Sequence, residues 1–198
     1  MSSSVRSEQG THAVRDGITY QEDIIKSPLV RKLLAVARII IGCFFMWPFL
    51  DKLFGLGFGT PIGKGWLAGT APAQGFIGRI ENPLGGIIKP LFGNAFGDAF
   101  FMFALFGIGI AMIMGAGLRI AAIGGAILVM LMWATELPFV QTHMGPDGQM
   151  VRGATNPILD DHWLEALLLL ISAATLSGDT WGVGKLWARI TNGNKFLR

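Results

Sequence analysis

AFGDAFFMFALFGIGIAMIMGAGLRIAAIGGAILVMLMWATELPFV, residues 95–140, places only three charged side chains in 46 positions: Asp98, Arg119 and Glu136. Arg119 divides the stretch into two apolar runs, 95–118 and 120–140. About 20 apolar residues at a rise of about 1.5 Å each cover the roughly 30 Å hydrocarbon core of a bilayer. Backbone exposed to lipid must satisfy its own hydrogen bonds, so each run is expected to be a helix that spans a membrane.

Two further runs flank this pair. Residues 33–50 are apolar apart from Arg38 and carry Pro48; residues 163–176 form a shorter run. The second is expected to start earlier. Asn156 suits an N-cap, Pro157 the first helical position, and Asp160 and Asp161 the positive end of a helix dipole, with Gly178 just past the end. The predicted fold is an all-α membrane protein, a bundle of four transmembrane helices at about residues 31–54, 95–117, 119–140 and 157–177. Small residues recur at Gly107, Ala111 and Gly115 and at Ala121, Gly124 and Gly125, faces that let membrane helices approach closely. With so short a link at Arg119, the second and third spans are expected to pack as an antiparallel hairpin.

Composition agrees. The 198 residues are 52 % apolar and 15 % charged, with a formal net charge of +3 and a pI near 9.3. Soluble domains carry about a quarter charged residues. The cationic excess is too small and too scattered for a nucleic-acid partner. The single cysteine, Cys43, excludes an internal disulfide and a Cys-x-x-Cys relay. Residues 1–30 form a polar tail without the apolar core of a secretory signal, expected to be cytosolic and helical only near 20–25. Residues 188–198 are read as a second cytosolic tail. Basic residues near the spans set the orientation. Lys26, Arg31 and Lys32, then Arg119, then Lys185, Arg189, Lys195 and Arg198 would share the cytoplasmic side of a bacterial inner membrane. The first external loop, 51–94, is rich in both glycine and large apolar residues. Segments 73–80 and 84–92 within it read as short helices lying on the membrane surface.

Ionisable residues within spans are functional candidates. Arg38 lies about 9 Å deeper than Lys32. It either faces the interior as a fixed cation or snorkels back to the headgroups. The other ionisable residues gather at the external end: Asp51 and Lys52, Asp98, Glu136 with His143 beyond it, and Asp160, Asp161, His162 and Glu165. Asp161, His162 and Glu165 fall within one helical arc. A pocket of this kind could hold a quinone head group, relay protons or take a small external substrate. For proton transfer the candidates are Glu136, His162 and Glu165, because a carboxylate–histidine pair can pass the two protons of a quinol. For binding a quinone cofactor they are Arg38, Lys52 and Asp98. Ordinary helix-end polarity is the better account of Asp160 and Asp161. Neither haem nor metal is expected: the three histidines are His12, His143 and His162, and they form no His-x-x-x-His pattern. Residues 57–65 imitate a phosphate-binding loop but are one residue too long and lack its Ser or Thr.

The segments Arg38-Ile-Ile-Ile-Gly42-Cys-Phe-Phe45 and Asp51-Lys52-Leu53-Phe54-Gly55 resemble the opening helix of the DoxX/DoxD family. That helix carries an arginine, a glycine four residues on, an aromatic and a late Lys-Leu. Residues 66–76 resemble the external loop of the DoxD branch, and Asn156-Pro157 through Asp161-His162 to Gly178 fit its last span. The resemblance covers most of 35–187. It implies a four-helix membrane protein. In the best-described branch it implies the membrane subunit of a thiosulfate:quinone oxidoreductase, which passes electrons from thiosulfate to membrane quinone with a second small subunit. The alternatives are a non-catalytic accessory or assembly subunit of a larger respiratory complex and, less favoured, a small-solute channel or permease. Expected partners are the bilayer, a partner membrane protein or second small subunit, and further copies of the chain.

Overall fold

The computed structural model describes residues 17–137, 142–144, 146–152, 156 and 158–198. One turn, Gln21–Ile24 (α1), precedes the helix Pro28–Phe54 (α2). Pro28 occupies the first turn of α2, where its missing N–H costs nothing, and Gly55 ends the helix in the left-handed region at φ 70°. The loop that follows contains Gln74–Ile77 (α3) and Gly85–Phe92 (α4), close to the two short helices expected there. Ala95–Met114 (α5) is capped by Asn94, whose side chain accepts from the Phe96 and Gly97 N–H groups. Leu118–Glu136 (α6) follows after three residues. Thr142–Met144 (β1) and Met150–Arg152 (β2) pair antiparallel. Asp161–Ala174 (α7) and Gly184–Ile190 (α8) complete the chain.

Helices α2, α5 and α6, at 27, 20 and 19 residues, are each long and apolar enough to cross a membrane. Large apolar side chains such as Ile40, Phe44, Phe103, Ile123 and Ile127 stand exposed on them, while Arg38, Asp51 and Asp98 are buried. An apolar outside around a partly polar inside needs lipid, not water, as its solvent. The chain is therefore a multi-pass helical membrane protein. The fourth helix differs from expectation. It starts at Asp161, with Asp160 as its cap, and Asn156 instead caps a separate turn through the Ile158 and Leu159 N–H groups. Its 14 residues measure about 21 Å, short of a full span on their own. The expected C′ residue Gly178 lies in a 3-10 turn, Ser177–Asp179, beyond the end of α7. The other spans also shift by a few residues: α2 begins at Pro28 rather than 31, and α5 ends at Met114 rather than 117. Residues 138–140, included in the expected third span, lie outside the described residues.

Packing corrects a second expectation. The turn between α5 and α6 makes them neighbours, but α5 packs mainly on α2 and α6 mainly on α7. The glycines that permit close approach are Gly42 and Gly109 between α2 and α5. A Cβ on Gly109 would stand 3.0 Å from the Met46 nitrogen, and one on Gly42 would stand 2.8 Å from that of Ile113. Gly125 admits Leu169 of α7 in the same way. Gly107 and Gly124, from the expected stripes, face open space. The core is Ile41, Phe45, Leu105, Ile108, Met112, Ala122, Val129 and Leu169.

Candidate functional site

The two ends of the bundle carry different polar structures. At the loop end, Asp51 holds the loop to α2. Its carboxylate accepts from the Phe58 N–H at 3.2 Å and the Gly59 N–H at 2.9 Å. The Lys52 ammonium lies beside the same turn, facing Gly59. Asp98, buried in the first turn of α5, accepts from the Ala73 N–H at 2.8 Å and so anchors α3. Gln74 donates to the Phe92 and Asn94 carbonyls, each at 3.2 Å, which ties α3 to the α4–α5 junction. Asn82 donates to the carbonyls of Ala134 and Thr135 and caps the end of α6.

This strut of loop separates two spaces. On one side lies a hollow of about 500 Å³ lined by Trp66, Thr70, Gln74, Asn94 and Asp98. On the other is an apolar chamber of about 110 Å³ beneath α3 and α4, between Phe76, Phe100, Leu128 and Thr135. The chamber shares Phe92, Phe100, Leu128 and Leu131 with a groove of about 490 Å³ between α5 and α6. Gly107 and Gly124 line that groove. Their lack of side chains widens it, because nothing packs on either glycine.

The remaining loop-end candidates sit apart from Asp98. His162 keeps Nδ1 at 3.0 Å from Asp160 and 3.6 Å from Asp161, with Glu165 one turn further on. Asp160, Asp161 and His162 are close enough together to share an ion, and the Asp160 carboxylate also accepts from the His162 N–H as the helix cap. Trp133 orients this start of α7: its Nε1 donates to the Ile158 carbonyl at 2.8 Å and its ring meets Trp163 edge-on at 5.4 Å. Glu136 is exposed at the last residue of α6. His143 lies in β1, its backbone opposite Val151.

Arg38 is at the other end. It does not snorkel, since its exposure is 0 %. Nη1 donates to the carbonyls of Met112 and Ile113, the latter at 2.8 Å; Nη2 donates to those of Thr180 at 3.3 Å and Trp181 at 3.0 Å. One guanidinium thus joins α2, the C-terminus of α5 and the turn before α8, and only its Nε lacks a partner among the described residues. Glycines make the approach possible: a Cβ on Gly115 or Gly182 would stand 3.1 Å from the guanidinium nitrogens. From Asp98 to Met112 along α5 is about 21 Å, so Arg38 and Asp98 do not face one ligand head group.

Sequence reasoning missed a neighbouring clasp. Asp179 is almost fully buried and takes both carboxylate oxygens to Arg198 Nη2 at 3.0 Å. It also accepts from the Gln21 N–H at 2.8 Å, while the Gln21 side chain accepts from the Thr180 hydroxyl at 2.6 Å. Residues 188–198, read from the sequence as a cytosolic tail, are thereby tied down at Arg198. Glu22 pairs with Lys185 at 2.9 Å. Partial burial opposes ionisation of Glu22, but the Lys185 hydrogen bond and charge outweigh it and hold that carboxyl below its usual value. The one sequence signal for the clasp was an acid, Asp179, set among glycines at an otherwise basic end.

No protein-family model, curated protein or solved structure matches this chain.

Proposed function

We propose that this protein is a quinone-binding membrane subunit of the DoxX/DoxD kind, linked to thiosulfate oxidation, with its quinone held between α5 and α6. The observation that carries the reading is that the groove between α5 and α6 and the chamber beneath α3 and α4 share the walls Phe92, Phe100, Leu128 and Leu131. An apolar isoprenoid tail suits a slot floored by Gly107 and Gly124. The flat ring would lie among Phe92, Phe100 and Leu128, close to the Asp98–Ala73 strut. Of the proton-transfer candidates, Glu136 follows Thr135 of the chamber wall and could supply or remove protons at the ring, with His162 and Glu165 further along the relay at the start of α7. In the same reading α7 is the fourth span. Both termini then face the cytoplasm of a bacterial inner membrane, beside the basic residues of that end.

The test is quinone retention by the purified protein, read from its ultraviolet absorbance, together with thiosulfate-dependent quinone reduction by membranes. A variant carrying Gly107→Leu and Gly124→Leu fills the slot without touching the core. It is expected to weaken quinone binding about tenfold or more, near 1.4 kcal/mol. Glu136→Gln and His162→Ala should slow reduction while leaving quinone bound. Unchanged binding in the glycine variant would remove the groove from consideration.

A second reading, an accessory subunit of a larger membrane complex, is favoured by the loop. Phe58, Ile62 and Leu67 stand 71–83 % exposed there, and an apolar surface of this kind fits a partner subunit. Extraction in mild detergent followed by native separation is expected to show the chain in a larger assembly. Migration solely as a small free oligomer would count against this second reading.

A further inference from the structure

The basic end holds a second hollow, of about 300 Å³, between the N-terminal flank, the start of α6, the end of α7 and the C-terminal residues. Arg119, Lys195 and Arg198 line it together with Thr19 and the apolar side chains of Ile24 and Leu176. No acidic side chain lines it among the described residues. Arg198 is already neutralised by Asp179. Arg119 and Lys195 have no carboxylate side chain within ion-pair distance among the described residues, so the hollow presents two cations that no described side chain neutralises. It also faces the first turn of α6, a 19-residue helix whose N-terminus has no side-chain cap. The Arg119 N–H is taken by the Arg198 carbonyl at 2.9 Å, and the helix dipole there adds to the attraction for an anion.

Its position selects the anion. Arg119 opens α6 and Ala174 closes α7, so the hollow lies where the apolar helices end. Beside it the segment 181–198 carries Lys185, Arg189, Lys195 and Arg198 and no acid. The same segment leaves Trp181, Leu186, Ile190 and Phe196 exposed at 57–82 %. Apolar side chains interleaved with cations, at the end of a membrane bundle, match the headgroup layer of a bilayer.

We propose that this hollow binds a phosphoryl group, carried by an anionic phospholipid whose acyl chains lie along the Ile24 and Leu176 side. Arg119 and Lys195 neutralise the phosphodiester, and the Thr19 segment, held by Arg198, forms the far wall. Occupancy would brace the clasp between the two chain ends, since the same Arg198 holds both Asp179 and the Thr19 carbonyl.

The test uses the full chain, purified and stripped of lipid in a neutral detergent. Phosphatidylglycerol, phosphatidylcholine and inorganic phosphate are titrated separately, with melting temperature and lipid retained in native mass spectrometry as readouts. Phosphatidylglycerol is expected to raise the melting temperature saturably, and phosphatidylcholine and inorganic phosphate are not. Arg119→Gln and Lys195→Gln should each weaken phosphatidylglycerol binding about 5-fold, and together about 30-fold. Lys64→Gln, at the loop end, should leave it unchanged. If Arg119→Gln proves unstable without lipid, the exposed Lys195→Gln carries the comparison alone. Equal responses to phosphatidylcholine, or full phosphatidylglycerol affinity in the Gln variants, would overturn the site. An equal response to inorganic phosphate would assign the hollow to a free anion and overturn the lipid.

Discussion

Replacing Arg38 by leucine is expected to cost this protein most of its stability, about 3–5 kcal/mol. The leucine fills part of the volume but donates nothing. The carbonyls of Met112, Ile113, Thr180 and Trp181 then lose their donor together. An unmade hydrogen bond at a buried group costs about 1–3 kcal/mol, and breaking a buried charged contact falls in the same range as the total given. Arg38→Lys should recover only part. An ammonium has three donors on a flexible stem and cannot reproduce a planar fork that faces two elements at once. Thermal unfolding in detergent, followed by tryptophan fluorescence and by the fraction remaining monodisperse, reads both variants. A leucine variant that melts with the wild type would mean that the guanidinium is not a strut. Its role as an anchor for a bound anion or quinone would then become the better explanation of its burial.

The second large effect is expected from a single methyl group. In Gly178→Ala the new Cβ would overlap the Gly115 carbonyl oxygen and lie 2.8 Å from its carbon. Both contacts are to backbone. Gly115 is itself fixed at φ 76° as the left-handed end of α5, one turn from the carbonyls that Arg38 holds. Neither side can yield without moving α5 or the 177–179 turn. Overpacking of this kind costs about 3 kcal/mol or more when no flexible side chain can absorb it. Gly107→Ala is the internal comparison. It adds the same methyl in mid-helix with no neighbouring atom within 4 Å. It should be neutral or stabilise by about 0.5–1 kcal/mol through reduced backbone freedom. If the two variants melt alike, the close approach at Gly115 and Gly178 is not the constraint described.

These two glycines show where sequence reading reaches its limit. Gly107, Ala111 and Gly115 form a regular small-residue stripe, and periodicity assigned them to helix packing. A stripe records which residues share a face of one helix, not what lies opposite that face. In the folded chain α2 and α5 meet through Gly42 and Gly109, Gly115 meets Gly178, and Gly107 lines a groove instead. The start of α7 is a similar case. Asn156 and Asp160 are equally good caps, and both are used, one for a turn and one for the helix. Local chemistry cannot say which of two adequate caps begins the helix. That depends on where Trp133 and Trp163 fix the chain. The loop-end site was legible as a set of polar helix ends under an apolar loop. Its internal division, with Asp98 under the loop and His162 with its acids on α7, was not.

The sequence by itself determined a helical membrane protein, of whose four expected spans three are long enough to cross on their own, with short helices in the loop that follows the first of them and a basic end gathered from three separate segments. Each of these follows from the length and apolarity of continuous runs or from the sign of charge at their ends, which are properties of the chain before it folds. Only the tertiary structure decided that Arg38 is a buried strut, that Asp179 and Arg198 clasp the two chain ends, and that a groove opens between α5 and α6. Those outcomes rest on distances between residues 74, 19 and about 20 positions apart. They are fixed by which glycines let two backbones meet, and no periodicity within a single segment records that.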